Sequence, residues 1–240
     1  MVIKGEIRQM SNKDRNVTTI FFDAGGVLFD TPISRGERIK NILRAKGFKD
    51  IDIERGLKKG EEFSDKFFKD GIWLTDWSKE EAYWDKYYEE ILKEITGDLT
   101  YSLKKQLFHH SHYAIHCKLF DEVRELLESL QGTYRLGVIS NAFPSMEWVF
   151  DSLNIRKYFD SITISAFVGE CKPHKTIYEA ALKSLNVKAE ECIFIDDKLK
   201  NVEAAESLGF KGIYLDRKIE DLSIIETLLD INLSPSQKCV

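Results

Sequence analysis

Two short stretches of this sequence end an apolar run on acidic side chains. FFDAGG (21–26) places Asp23 after a run of apolar residues, and ECIFIDD (191–197) ends on Asp196 and Asp197. A carboxylate at such a position can attack phosphorus or an activated carbon and form a covalent intermediate, which divides one difficult step into two. An adjacent pair of carboxylates offers hard oxygen ligands for Mg²⁺, which would neutralise phosphate charge and orient the displacement. These residues predict nucleophilic chemistry at Asp23 beside a metal-binding pair.

Other polar side chains stand at comparable points. YRLGVIS ends on Ser140 and is followed by Asn141, and Lys172 lies just before a predicted helix. Ser140 and Asn141 could donate hydrogen bonds to a transferring group, and Lys172 adds the positive charge that Asp23 and its acidic partners need if they are not to repel a phosphate. A lone aspartate after a strand is usually a turn or cap residue. Three such polar ends together with a lysine weaken that explanation.

The elements that must position these residues alternate in type. Helical patterns that end near glycines, as at Gly132 and Gly209, separate short apolar segments rich in β-branched and aromatic residues. The predicted strands are 17–22, 134–140 and 191–196, with weaker ones at 161–166 and 211–215. This alternation predicts an α/β fold with a parallel, Rossmann-like sheet flanked by helices. Ligands bind at the carboxyl ends of the strands in such sheets.

The stretch 32–113 is different, because it is helical, charged and aromatic with no convincing strand. A capping-box pattern at 78–81 predicts a long helix that runs to about residue 95, and the aromatic residues on that helix recur at the spacing of a buried face. The predicted organisation is a polar tail (1–16), an α/β core (17–31 and 114–230), an inserted helical cap (32–113) and a second tail (231–240).

Four stretches carry a resemblance to a known family: FFDAGGVL, VISNAF, GECKPHKTIYEAAL and IFIDDKLKNVEAAESLG. In order and spacing they resemble the motifs of the haloacid dehalogenase superfamily, most of whose members are Mg²⁺-dependent aspartyl phosphatases, and 32–113 stands where that family inserts a helical cap. The resemblance covers roughly 17–31 and 118–230. It implies that Asp23 is the nucleophile of a hydrolase acting on a small phosphomonoester, assisted by Lys172. It also implies that Ser140, Asn141 and Lys172 hold the phosphoryl group, and that Mg²⁺ is bound by Asp23, the carbonyl of Gly25 and Asp197, with Asp196 assisting.

One position departs from the pattern of that family. Most of its phosphatases carry a second aspartate two residues after the nucleophile as general acid and base, and here that residue is Gly25. Loss of a general acid costs about 10²–10⁴-fold in rate. Three hypotheses remain: a phosphatase that manages without this acid, a metal-independent 2-haloacid dehalogenase-like hydrolase, and a non-catalytic regulatory protein on the same fold. The acidic pair at 196–197 favours the first, because a metal-free site for a carboxylate substrate gains nothing from it.

Histidines offer a competing site. His109, His112 and His116 would share one face of a continuous helix and could bind zinc, but a helix break at the end of the inserted module would make them partly exposed hinge residues. His174, in the third motif, could supply a proton near the site, and we interpret it as an exposed residue at a helix start. Asn201 is a candidate supporting residue of the fourth motif.

Composition narrows the range of partners. The 240 residues carry a formal net charge of −5 and are 43% hydrophobic, with no basic run and no long apolar stretch. These features argue against nucleic-acid or membrane binding, and the resemblance implies a small phosphorylated molecule as the substrate. Four cysteines without metal-ligand spacing predict free thiols in a reducing compartment, and with no signal-peptide pattern at the start the sequence predicts a cytoplasmic protein.

Overall fold

The computed structural model describes residues 17–69, 73–96 and 101–229 of the chain. Within these ranges the chain forms two compact units, each built from discontinuous segments. The first, called the sheet unit, comprises 17–30, 119–142 and 153–229. The second, called the helical unit, comprises 31–69, 73–96, 101–118 and 143–152. The predicted tails, 1–16 and 231–240, lie outside the described residues.

The strands are β1 (Thr19–Phe22), β2 (Phe29–Asp30), β3 (Lys118–Leu119), β4 (Arg135–Ser140), β5 (Ser161–Ile164), β6 (Cys192–Asp196) and β7 (Lys211–Tyr214). The α-helices are α1 (Arg35–Ala45), α2 (Asp50–Lys69), α3 (Trp77–Thr96), α4 (Tyr101–Ser111), α5 (Val123–Leu130), α6 (Met146–Ser152), α7 (Ser165–Val168), α8 (Lys175–Leu185), α9 (Leu199–Ser207) and α10 (Ile224–Leu229).

The sheet unit contains a five-stranded parallel sheet in the order β5-β4-β1-β6-β7. β1 is central, and Phe22 pairs with Val138 of β4 on one side and Ile195 of β6 on the other. All four residues of β1 are buried, as expected for a strand covered on both faces. The predicted α/β fold is therefore confirmed, and the two weaker strand predictions correspond to the edge strands β5 and β7. The carboxyl ends of all five strands lie along one edge of the sheet.

Aromatic rings pack beneath that sheet and fix the helices that cover it. Phe21, Phe194, Phe210 and Tyr178 contact one another edge to face, with ring centroids 5.5–6.3 Å apart. Tyr178 of α8 also donates its hydroxyl to the carbonyl of Asn201 on α9 at 2.8 Å. Such pairs contribute about 0.5–1.5 kcal/mol each beyond their buried area. The packing thus holds the starts of two helices near the ends of the central strands.

In the helical unit, α2 packs closely against α3 through two glycines. A Cβ at Gly56 would lie 2.7 Å from the Ile95 side chain, and one at Gly60 would lie 2.8 Å from Ile91. The facing side of α3 is buried, with Trp84, Tyr88 and Ile91 at most 1% exposed. The aromatic repeat on this helix is therefore the core of the unit. The helix begins at Trp77, and the Asp76 carboxylate, not the predicted Ser78, accepts hydrogen bonds at its start.

Glu80 lies inside this core and is fully buried. Its carboxylate accepts hydrogen bonds from Trp84 Nε1 at 3.0 Å, and from the backbone N and the Oγ of Ser145 at 2.8 and 2.5 Å. His112 Nε2 approaches to 3.9 Å. Burial acts to raise the pKa of Glu80, but the approach of His112 and the donors from Ser145 and Trp84 outweigh it, so this pKa lies below its ordinary value.

These contacts explain why 143–152 groups with the helical unit, although the predicted boundaries assigned it to the core. Phe143 contacts Trp84 and stacks against Phe68, with centroids 5.4 and 5.9 Å apart, and Ser145 is bound to Glu80. The residues that directly follow the second motif therefore pack with helices that come much earlier in the chain. Nothing in the local sequence of 143–152 signals this grouping.

The histidine-rich stretch does not form one helical face. α4 ends at Ser111, and His112 caps a short 3₁₀ turn by accepting from the backbone N of Ala114. The described residues contain no histidine group arranged for metal binding. His109 is exposed and His116 partly exposed, but His112 is buried, so the prediction of exposure was wrong for that residue.

Within the described ranges, no helix combines the length and apolar character needed to cross a membrane. Among the described residues, Cys117, Cys171 and Cys192 form no disulfide bond, while Cys239 lies outside the described residues.

Candidate active site

Asp23 stands at the centre of the sheet edge, immediately after β1. Its backbone N donates to the carbonyl of Ile195 at 2.8 Å, which extends the β1–β6 pairing by one residue and fixes the position of the side chain. The residue is only 5% exposed. Burial raises the pKa of Asp23, and the Asp196 carboxylate raises it further, while the ammonium of Lys172 acts in the opposite direction. Asp23 is a buried carboxylate that depends on its cation to remain ionised.

Lys172 supplies that cation and is itself buried. Its Nζ lies 2.7 Å from Asp23 Oδ1, 2.7 Å from Asp196 Oδ2 and 2.7 Å from the carbonyl oxygen of Ile139. An ammonium group has three hydrogens, so all three have acceptors. The backbone of this lysine precedes a cis peptide bond to Pro173.

Asn141 fixes the backbone of Lys172. Asn141 Nδ2 donates to the carbonyl of Lys172 at 2.9 Å, and the Lys172 backbone N donates to Asn141 Oδ1 at 2.7 Å. One Nδ2 hydrogen remains for another acceptor. Ser140, the last residue of β4, is 3% exposed. The structure thus brings Ser140 and Asn141, like Lys172, to the same edge as Asp23, and it gives Asn141 a positioning contact that the sequence did not indicate.

The two members of the acidic pair occupy different environments. Asp196 is fully buried and accepts from the backbone N of Lys198 at 2.8 Å, from Asn201 Nδ2 at 3.0 Å with both oxygens, and from Lys172. Its oxygens are already well supplied with donors. Asp196 therefore holds Lys172 and Asn201 in place, and its part in assisting a metal stays a prediction.

Asp197 has the opposite character. Its Oδ1 is buried with no hydrogen-bond partner among the described residues, and burial is the main cause that raises its pKa. Gly26 lies against this carboxylate: a Cβ there would be 2.6 Å from Asp197 Oδ2, and the φ of +85° is in the left-handed region that favours glycine. A buried, unpaired carboxylate oxygen is costly unless a cation or a proton compensates it.

The three aspartates together form a candidate cation site. One carboxylate oxygen from each of Asp23, Asp196 and Asp197 lies within 4.8 Å of the other two. With Lys172, these side chains carry a formal charge of −2, which a divalent cation would balance. Hard oxygen donors and an unpartnered carboxylate oxygen fit Mg²⁺. The predicted ligand at Gly25 would be its backbone carbonyl.

Ser165 is a supporting residue that the sequence analysis missed. Its Oγ accepts from the backbone N of Ala142 at 3.0 Å and lies 3.3 Å from the Ala142 carbonyl oxygen, so it fixes the loop that follows Asn141. Ser165 comes directly after β5, and the strand-end reasoning that found Asp23 and Ser140 applies to it as well. The prediction of a strand over the whole of 161–166 placed Ser165 inside that strand and not directly after its end.

His174 lies at the start of α8, where its Nδ1 accepts from the backbone N of Thr176 at 3.5 Å. The residue is exposed, as predicted.

A parallel sheet that collects a buried aspartate, a lysine and an acidic pair at one edge defines a hydrolase of the haloacid dehalogenase type. Residues 17–209 match the family described as haloacid dehalogenase-like hydrolase, and the chain belongs to that family. A glyceraldehyde 3-phosphate phosphatase from Pyrococcus abyssi is 26% identical over 210 residues, which cover 82% of this chain and 81% of that protein.

Solved structures show the same fold at lower identity. One is a haloacid dehalogenase family enzyme from Bacteroides thetaiotaomicron in complex with magnesium and inorganic phosphate, with a TM-score of 0.62 and 20% identity over 87% of this chain and 98% of that one. Another is an L-2-haloacid dehalogenase from Xanthobacter autotrophicus, with a TM-score of 0.54 and 17% identity over 91% and 85%. Because a dehalogenase and a phosphate-binding enzyme of the family share this fold, the fold alone does not distinguish dehalogenation from phosphate-ester hydrolysis. The residues of the site must distinguish them.

Proposed function

We propose that this protein is a Mg²⁺-dependent phosphatase that hydrolyses a small phosphomonoester through an aspartyl-phosphate on Asp23. The observation that carries the proposal is the buried arrangement of Asp23, Lys172 and the unpartnered Oδ1 of Asp197. A dianionic phosphate can approach this edge only if the excess negative charge is balanced, and Mg²⁺ meets that need. The similarity to a phosphatase over four-fifths of the chain supports the same reaction class.

Each residue has a defined part in this proposal. Asp23 attacks phosphorus, and Lys172 keeps its carboxylate ionised and adjacent to the transferring group. Ser140 and the remaining Nδ2 hydrogen of Asn141 bind the phosphoryl oxygens. Asp23, the carbonyl of Gly25 and Asp197 hold the metal. Bound there, Mg²⁺ supplies the positive charge that offsets the phosphoryl oxygens.

The helical unit is proposed to act as the cap that selects the substrate. Its larger part, 31–118, lies between β1 and β4 in the sequence, 143–152 follows β4, and the unit has its own buried core. Caps of this kind exclude water and restrict which leaving groups are accepted. Together with the phosphatase relative, this favours a small phosphorylated metabolite.

The first test is hydrolysis of para-nitrophenyl phosphate with Mg²⁺ and with excess chelator, for the wild-type protein and Asp23→Asn. The substitution removes the nucleophile but keeps nearly the same shape, so circular dichroism and a melting curve should show an intact fold. Turnover that requires both Mg²⁺ and Asp23 is the expected result. Turnover that persists in Asp23→Asn would contradict the covalent mechanism.

The dehalogenase alternative is tested on the same samples with 2-haloacids. Halide release that depends on Asp23 but not on Mg²⁺ would replace the phosphatase proposal. Absence of Asp23-dependent turnover on both classes would favour the non-catalytic alternative.

A further inference from the structure

Gly25 and Gly26 are adjacent, but the structure places different demands on them. A Cβ built at Gly25 meets no atom within 4 Å, and its φ is outside the left-handed region. A Cβ at Gly26 would collide with the carboxylate of Asp197. A side chain could therefore be accommodated at position 25 and not at position 26. The absence of an acid at position 25 is not imposed by packing or by backbone conformation.

The other side chains around Asp23 are engaged in other ways and do not replace that acid, and Asp197, whose Oδ1 has no partner among the described residues, is proposed to hold the metal as an ionised carboxylate. The three hydrogens of Lys172 already point to acceptors, and giving one up would remove the charge that keeps Asp23 ionised. Asp196 is engaged as an acceptor by several donors, and Asn141 is a neutral amide. Among the described residues of the sheet unit, the one histidine is His174, which is exposed and caps α8.

We infer that the substrates of this enzyme are phosphate esters or anhydrides whose leaving oxygen departs as a stable anion, namely acyl, enol, anomeric or aryl phosphates, and not esters of simple alcohols. This inference rests on the proposed function and specifies its substrate class. It follows from a site that retains the nucleophile, its cation and the metal-binding oxygens but has glycine at position 25, and in which Lys172, Asp196 and Asn141 are engaged by other groups.

Both steps of the reaction can proceed without such an acid, because the protons they need or release are exchanged with solvent. Asp23 forms a bond to phosphorus, the bond from phosphorus to the leaving oxygen breaks, and its electron pair leaves on that oxygen. The resulting anion takes a proton from solvent. Water then attacks phosphorus, the bond to Asp23 breaks to regenerate its carboxylate, and inorganic phosphate is released with one proton passing to solvent. An alcohol with a high pKa departs slowly in the first step because nothing protonates it.

The test compares phosphate esters of similar size whose leaving groups differ in acidity: para-nitrophenyl, phenyl and cyclohexyl phosphate. For the wild-type protein, kcat/KM is expected to fall by at least about 10²-fold from the first to the last, the range typical for a missing general acid. Gly25→Asp should raise the cyclohexyl-to-nitrophenyl ratio by about tenfold or more. Gly25→Asn is the matched control, because it has the same shape and no proton to give, and its ratio should stay at the wild-type value.

Comparing ratios within each variant removes effects of enzyme concentration and partial loss of fold. If wild-type protein hydrolyses cyclohexyl and nitrophenyl phosphate equally well and both depend on Asp23, the inference is overturned while the proposed function stands. An equal rise for Gly25→Asp and Gly25→Asn would also overturn it, because the gain would then come from shape. If no ester is hydrolysed in an Asp23-dependent way, the proposed function fails first. If Gly25→Asp does not fold, the change in kcat/KM across the three esters for the wild-type protein is sufficient to test the inference.

Discussion

Removing the charge of Lys172 should expose how far the site depends on it. In Lys172→Met, the carboxylates of Asp23 and Asp196 remain buried with no cation between them, at a separation of no more than 4.8 Å. At that distance and an effective dielectric constant of about 20, two like charges repel by about 3 kcal/mol. This agrees with the ~3–5 kcal/mol lost when one partner of a buried ion pair is removed.

The assay is urea unfolding in the presence of chelator at neutral pH, applied to a double-mutant cycle of Lys172→Met and Asp23→Asn. We expect the single Lys172→Met substitution to lower the free energy of unfolding by ~3–5 kcal/mol. Adding Asp23→Asn should restore about 3 kcal/mol, because only one buried carboxylate then remains. Asp23→Asn alone should cost less than Lys172→Met, since Lys172 keeps Asp196 as a partner.

The loss of stability in Lys172→Met should depend on pH. Without the lysine, the pKa of Asp23, already raised by burial, should rise further. A carboxyl group whose folded pKa is above its unfolded value destabilises the fold at high pH and is relieved as the pH falls through the folded pKa. The deficit of Lys172→Met should therefore shrink on acidification. An additive cycle, with each substitution costing the same in either background, would refute the assignment of Lys172 as the cation that holds these carboxylates together.

Three further predictions concern other parts of the chain. Gly26→Ala should lower the free energy of unfolding by about 1–2 kcal/mol because of its left-handed backbone alone. It should also reduce the rise in melting temperature that Mg²⁺ produces, because the added methyl group displaces Asp197. Gly25→Ala should show neither effect, and equal behaviour of the two alanines in melting curves would contradict the distinction. Glu80→Gln should lower the free energy of unfolding by about 1–3 kcal/mol at pH 7. Because the folded pKa of Glu80 is below its ordinary 4.5, the wild-type advantage in urea unfolding should be full above that value and should be lost as the pH falls from there through the folded pKa. A pH-independent difference would contradict an ionised Glu80. His174→Ala should change para-nitrophenyl phosphate turnover by less than about threefold, because the residue caps an exposed helix start. A larger loss at unchanged melting temperature would give it a role in the reaction.

Much of the fold could be predicted because the strands of a parallel sheet are apolar along their whole length. The three strongest runs are the three central strands, and each ends on a polar residue, so the edge of the sheet and its acids follow together. Asp23 and Asp197 were recognisable because several polar strand ends fall together at one edge of a parallel sheet, where ligands bind, and Lys172 because it adds a cation just before a predicted helix.

Other features could not be predicted, because they depend on contacts between distant segments. Glu80 belongs to a pattern typical of an exposed helix start, and its burial depends on Ser145, 65 residues later. The use of Asn141 to fasten Lys172 likewise requires two loops to meet. The two glycines after Asp23 look equivalent in the sequence, and only the position of Asp197 distinguishes them.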